Sequence, residues 1–76
     1  MQLYKIITKE KTHFYESKVA YERGLLYHTR YLHAVRSYMN YLTIECYKID
    51  VKGDIVYWRQ IDKYQVIDGE VRGVNI

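Results

Sequence analysis

The sequence contains no proline, a single cysteine and no long apolar run, and each of these absences narrows the class of protein. Without proline or a Gly/Ser-rich stretch there is no candidate linker, so the 76 residues predict one compact domain over 1–76. Cys46 alone cannot form an internal disulfide, which favours a reducing cytoplasmic location. No segment approaches the roughly 18 apolar residues of a membrane span, and the N-terminal residues lack the apolar core of a signal peptide. We therefore expect no membrane partner.

Residues that often carry catalysis or bind metals are present, but they form no known motif. On a helix, His28 and His33 diverge by about 140°, so they cannot chelate one ion from the same face. His13 has no ligand type near it in the sequence, and the alternating strand position of Cys46 predicts a buried, inert thiol. The carboxylates are expected at turns, where they solvate loops: Asp50, Asp54, Asp62, Asp68 and Glu70. We therefore predict no metal, no cofactor and no enzymatic activity.

The positive charge of the chain is concentrated in its middle third. The formal net charge is +3, and no carboxylate occurs between Arg23 and Ile44. Within residues 17–41, Glu22 alone opposes the basic residues Lys18, Arg23, Arg30 and Arg36. This distribution suits an anionic partner.

The order of apolar and turn-forming segments predicts an α+β fold. Segments 3–9 and 13–17 are rich in β-branched and aromatic residues and predict an opening hairpin. After a long helix, "LTIECYKID" and "IVYWRQI" flank a glycine turn, and Asp68-Gly69 lies between two short alternating runs. The expected order is ββαββ plus a small C-terminal hairpin. This predicts an antiparallel sheet of four to six strands with one long amphipathic helix packed on one face.

The central segment predicts a helix that begins after Ser17, a suitable N-cap, and ends near Asn40. Gly24 falls on its apolar face, where a missing side chain lets the helix lie close to the sheet. His28 lies on the same face and is expected to be a core histidine. The apolar residues fall within roughly 160° of arc: Tyr21, Leu25, Tyr27, Tyr31, Leu32, Val35, Tyr38, Met39 and Leu42. The tyrosines of this arc are expected to cover the sheet, whereas Tyr41 lies on the opposite, exposed side.

The central hairpin has large apolar groups on both of its faces. Pairing across a turn at Lys52-Gly53 places Tyr47 opposite Trp58 and Ile44 opposite Ile61. One helix can cover only one face of the sheet. We expect it to cover the face of Ile44, Cys46 and Ile61, which leaves the Tyr47–Trp58 pair outward. Two alternatives are that the C-terminal hairpin folds over this pair, or that the chain forms a homodimer that closes the patch on itself.

An exposed aromatic patch on a small protein usually marks a partner. The sequence therefore favours a small non-enzymatic protein-binding module, an inhibitor or adaptor that blocks a surface of a larger cellular protein. This character is typical of small bacteriophage proteins directed at host enzymes or defence systems, although no motif of this chain matches one such family. The predicted protein-binding residues are Tyr47, Trp58, Arg23, Arg30 and Tyr41.

The second hypothesis is nucleic-acid binding. The basic residues of the helix would meet phosphates while Tyr41, Tyr47 or Trp58 stacks on unpaired bases. The modest charge and the lack of an RNP-type or helix-turn-helix signature rank it below protein binding. The predicted residues for this role are Lys18, Arg23, Arg30, Arg36 and Tyr41.

Overall fold

The computed structural model describes residues 2–37 and 42–74, which form a five-stranded antiparallel sheet with one helix packed against it. The order across the sheet is β2-β1-β3-β4-β5. The predicted α+β class, the antiparallel sheet and the packed helix are confirmed. The elements, in chain order, are β1 (Gln2–Ile7), β2 (Thr12–Tyr15), α1 (Lys18–Val35), β3 (Thr43–Lys52), β4 (Ile55–Ile67) and β5 (Glu70–Gly73).

The helix begins as its sequence predicts and ends earlier. The Ser17 side chain accepts a hydrogen bond from the Ala20 backbone N–H at 3.1 Å, which satisfies one of the free donors of the first turn. The helix ends at Val35, and Arg36 is its C-cap residue. Asn40, the predicted end, lies outside the described residues, as do Tyr38, Met39 and Tyr41. Leu42 precedes β3 and does not belong to the helix.

Only the centre of the predicted apolar arc packs on the sheet. Tyr21, Leu32 and Val35 are buried, whereas 69% of Tyr27 and 49% of Tyr31 is exposed. The prediction that these last two tyrosines cover the sheet is therefore wrong. Both lie at one margin of the arc, and a helix on a twisted sheet buries a stripe narrower than the apolar arc seen in its sequence.

The core lies between the helix and one face of the sheet, as predicted for Ile44 and Cys46. Gly24 lies so close to β2 that a Cβ atom added there would collide with the Tyr15 ring, which confirms the predicted close approach. Tyr21 stacks on Tyr4 with 4.9 Å between ring centroids, and Tyr15 meets it edge-on. The buried cluster comprises Ile6, Tyr21, Leu32, Ile44, Cys46 and Val66, with Ile61 partly buried beside it.

The β3–β4 hairpin turns one residue later than predicted. Its closing pair is Lys52 and Ile55, because Gly53 takes a positive φ of 61° at the first central position of the turn. Trp58 therefore lies opposite Ile49, and Tyr47 lies opposite Gln60, so the predicted register is wrong. The error is a shift of two residues along the partner strand, which leaves every side chain on the face where it was expected.

A β-bulge then changes the faces of β4. Cys46 lies opposite Asp62 while Tyr47 lies opposite Gln60, so Ile61 is the extra residue. Ile44 consequently faces Tyr64 and not the predicted Ile61. The bulge also places Asp62 in the middle of a strand that faces the helix, so its predicted position at a turn is wrong.

The predicted C-terminal hairpin forms but extends the sheet. Asp68 and Gly69 both have positive φ angles, 51° and 78°, as a type I′ turn requires. The strand that follows pairs with Tyr64–Ile67 of β4 at the edge of the same sheet. The hairpin therefore does not fold over the opposite face, and that alternative for covering Trp58 is removed.

Candidate functional site

We call the face of the sheet away from the helix the outer face. It carries a group of aromatic side chains. Tyr47 and Ile49 lie on β3 and alternate with the buried residues Cys46 and Ile44 of the core. Trp58 lies directly opposite Ile49, which is buried, while 55% of Trp58 itself is exposed. The predicted outward orientation of the Tyr47–Trp58 pair is confirmed, although the two residues are diagonal and not direct neighbours.

A lysine that sequence reasoning missed holds this group together. The Nζ atom of Lys5, which lies opposite Tyr47 on β1, is 3.3 Å from the Trp58 ring centroid and 5.0 Å from the Tyr47 centroid. The two rings meet edge-on at 6.2 Å. Lys5 is 8% exposed, and this burial lowers the pKa of its ammonium group. The cation lies against the electron-rich faces of the rings, an attraction that restrains the Trp58 side chain.

Tyr47 is fixed at its other end. Its hydroxyl donates a hydrogen bond to Glu45 Oε2 at 2.8 Å, and this bond, with burial, raises the pKa of Tyr47. The carboxylate thus fixes the ring of Tyr47, against which the edge of Trp58 rests. The arrangement is a preorganised aromatic surface: its side chains are already ordered before any partner arrives.

The outer edge of β4 adjoins this surface. Between Ile55 and Asp62, no strand among the described residues pairs with that edge, since β5 pairs only with Tyr64–Ile67. An unpaired edge of this kind is a template for another extended chain. Four successive uncharged residues there are exposed by 49–56%: Ile55, Val56, Tyr57 and Trp58.

The structure divides the predicted binding residues among separate surfaces. Arg23 and Arg30 are exposed on the helix, on the opposite side of the sheet from Tyr47 and Trp58. Lys18 and Arg36 are exposed as well, but they lie well over 100° around the helix from that arginine pair. Tyr41 lies outside the described residues. No single surface contains the whole predicted set, for either protein or nucleic acid.

A cleft opens between the β1–β2 loop and the helix, and its lining includes two histidines. The cavity measures about 570 Å³. His13 of β2 and His28 of the helix face each other there with 4.6 Å between ring centroids. Burial, and then the nearby His13, lower the pKa of His28. In the described residues no group of three or more His, Cys, Asp or Glu side chains could hold a metal ion.

We expect the stability of the fold to fall as the pH drops below about 6.5, the ordinary pKa of histidine. The folded state holds the pKa of His28 below that value, so the unfolded chain takes up the proton first. The stabilisation that comes from neutral His28 is complete above about pH 6.5. It is lost as the pH falls through the pKa that His28 has in the folded protein. Urea unfolding at pH 7.5 and pH 5.5 measures this difference.

The matched variants for this test are His28→Gln and His33→Gln. His33 is an exposed histidine of the same helix. The His28→Gln protein should lose part of the pH dependence, whereas His33→Gln should keep all of it. An unchanged pH dependence in His28→Gln would show that other groups cause the effect.

Inside the core, Tyr21 links the helix to the bulge of β4. Its hydroxyl donates to Asp62 Oδ2 at 2.8 Å, and burial with this bond raises the pKa of Tyr21 far above its usual range. Cys46 lies beside them with no exposed surface, and burial raises the pKa of its thiol to about 11. The predicted burial of Cys46 is confirmed, and its thiol stays protonated at neutral pH.

Comparison with known protein families, with curated proteins and with solved structures gives no match. Among the residues that the structure describes, no helix is long and apolar enough to span a lipid bilayer. The site must therefore be interpreted from its own chemistry.

Proposed function

We propose that this chain is a small binding protein that attaches to a larger protein through the outer face and the adjoining edge of β4. By occupying that protein it would act as an inhibitor or adaptor, without catalysis of its own. The observation that carries the proposal is Trp58, which is 55% exposed and yet held in place by the Lys5 ammonium group. Tryptophan is the residue type that most often dominates the energy of a protein interface.

The restrained geometry of the indole supports this role. A side chain that is ordered in the free protein loses little entropy when it binds, so more of its contact energy becomes affinity. Lys5 supplies that order at the face of the indole ring, and Tyr47 supplies it through an edge contact. Trp58 lies outside the core, which is on the other face of the sheet, so its exposed surface is open to a partner.

The edge of β4 suggests the kind of segment that a partner offers. An extended chain beside Ile55–Asp62 would pair with backbone groups that no described strand uses. The main-chain hydrogen bonds of strand addition would supply affinity, while Val56 and Trp58 select the side chains of the segment. The charged side chains lie outside the run Ile55–Trp58, so a largely apolar segment fits best. The proposed partner is therefore a protein with an exposed, extended, apolar segment.

The proposed setting is the cytoplasm, because Cys46 is an unpaired thiol buried in the core. The bacteriophage origin stays a prediction from the general character of the chain.

Site-specific photo-crosslinking tests the proposal. A photoreactive phenylalanine derivative replaces Val56 on the outer face or, as a control, Glu22 on the exposed side of the helix. We expect the position 56 protein to crosslink one larger protein in cells that contain the partner, at a largely apolar segment that peptide mapping locates in its sequence. The position 22 protein should not crosslink it.

Two other results would contradict the proposal. Crosslinking from position 56 to a second copy of the same chain, supported by a dimeric mass in solution, would make the surface a homodimer interface. Crosslinking of the larger protein from position 22 and not from position 56 would move the binding surface to the helix.

A further inference from the structure

The cleft between the β1–β2 loop and the helix combines exposed aromatic rings with basic groups. We call this surface the basic cleft, and it lies on the helix side of the sheet, away from Trp58. Its cavity of about 570 Å³ is within the range of small-ligand sites. The side chains that define it are Lys9, Lys11, His13, Tyr27, His28 and Tyr31.

Tyr27 and Tyr31 are the unexpected part of this surface. They lie one turn apart on the same side of the helix and are exposed by 69% and 49%. The Tyr27 and His28 rings meet edge-on with 5.2 Å between centroids, and both side chains line the cavity. Tyr27 and Tyr31 thus both line the cavity and both keep exposed ring surface.

The charges around these rings are mostly positive. Arg23 and Arg30 lie on the helix next to Tyr27, and Lys9 and Lys11 face the helix from the β1–β2 loop. Among the residues that line the cavity, Glu10 is the only carboxylate. A ligand with negative charge on two sides of a flat ring would match this distribution.

We propose that the basic cleft binds single-stranded nucleic acid. An unpaired base would stack on Tyr27 or Tyr31, while the flanking phosphates would meet the lysines of the loop on one side and Arg23 and Arg30 on the other. Aromatic platforms within a basic groove are the usual means by which proteins hold single strands without reading their sequence. A duplex fits poorly, because its bases are stacked on each other and cannot reach the rings.

This inference is independent of the proposed protein-binding role, which uses the other face of the sheet. It also differs from the sequence-based hypothesis for nucleic acid. Tyr47 and Trp58 lie on the opposite face of the sheet from the cleft, and the two stacking residues assigned here were expected to cover the sheet.

Fluorescence anisotropy with a labelled single strand of about ten nucleotides tests the proposal at about 50 and 200 mM salt. We expect binding that weakens between these two salt concentrations. The double variant Tyr27→Ala/Tyr31→Ala should weaken it about tenfold or more at both, because stacking is lost while phosphate contacts remain. The variant Lys9→Gln/Lys11→Gln should instead reduce the dependence on salt.

Tyr57→Ala is the matched control, because Tyr57 is 52% exposed on β4 and far from the cleft. It should bind like the wild type, and all variants should unfold at the wild-type temperature since their side chains are exposed. Four results would each overturn the proposal: no binding at about 50 mM salt, equal binding of a duplex, an equal loss in Tyr57→Ala, or a free mononucleotide that competes as strongly as the strand. The last result would assign the cleft to a small ligand.

Discussion

Replacing Leu32 with alanine is expected to lower the free energy of unfolding by about 2–5 kcal/mol, the range for truncating a buried leucine. Leu32 is 2% exposed at the centre of the buried helix stripe and belongs to the cluster with Ile6 and Ile44. The truncation removes contacts and leaves a cavity between the helix and the sheet. A chain of 76 residues has a thin core, so this loss is a large part of its total stability. Urea unfolding monitored by circular dichroism measures it.

Leu26→Ala is the control, because it is the same substitution in the same helix. Leu26 is 51% exposed, so its truncation should change stability by about 0.5 kcal/mol or less. A comparable loss in both variants would mean that Leu26 is packed as closely as Leu32, because alanine has the higher helix propensity and the substitution itself favours the helix. If Leu32→Ala proved as stable as the wild type, the helix would not be packed through this stripe.

The difference between these two leucines could be predicted from the sequence, because the 3.6-residue period places Leu32 in the apolar arc and Leu26 outside it. The width of the buried stripe could not. Tyr27 and Tyr31 lie within the arc by angle alone, and whether they contact the sheet depends on how the helix crosses it. Tyrosine is also suited to both environments, since its ring is apolar and its hydroxyl is polar. The exposure of these two tyrosines at the basic cleft could therefore not be predicted from the sequence.

In the sheet, too, some features could be predicted from the sequence and others could not. Period-2 alternation fixed the face of each residue near the turn, so the outward position of Trp58 was predicted even though its cross-strand neighbour was wrong. The bulge at Ile61 had no sequence signal, and with it the contact of Asp62 with Tyr21 could not be foreseen. Contacts between distant segments, such as His13 with His28, arise only when the whole sheet is assembled.

Lys5 illustrates why the candidate site was only half predicted. In the sequence it is one of three lysines among the first eleven residues, and it would ordinarily be placed in solvent. Its burial follows from the pairing of β1 between β2 and β3, which puts it between Phe14 and Tyr47 on the outer face. The long apolar stem of lysine makes this position possible, because it can lie along the sheet while its charge meets the rings.

The Trp58→Ala protein is expected to bind the crosslinked partner about thirtyfold more weakly than the wild type, which corresponds to about 2 kcal/mol for an interface anchor. The reason is that the indole is more than half exposed on the outer face and is already ordered there by Lys5. Titration calorimetry with the purified partner measures the loss. Because more than half of Trp58 is exposed, the variant should keep its fold, and circular dichroism checks this.

Two further variants distinguish the contribution of the indole to affinity from the contributions of other residues. Tyr27→Ala removes an exposed ring from the helix, on the other side of the sheet, so it should leave affinity within about threefold of the wild type. Lys5→Met keeps the apolar stem but removes the charge above the indole, and the resulting loss should be intermediate, since Trp58 must then be ordered on binding. If Tyr27→Ala weakened binding as much as Trp58→Ala, the partner would also contact the helix side of the sheet. The outer face alone would then not define the site.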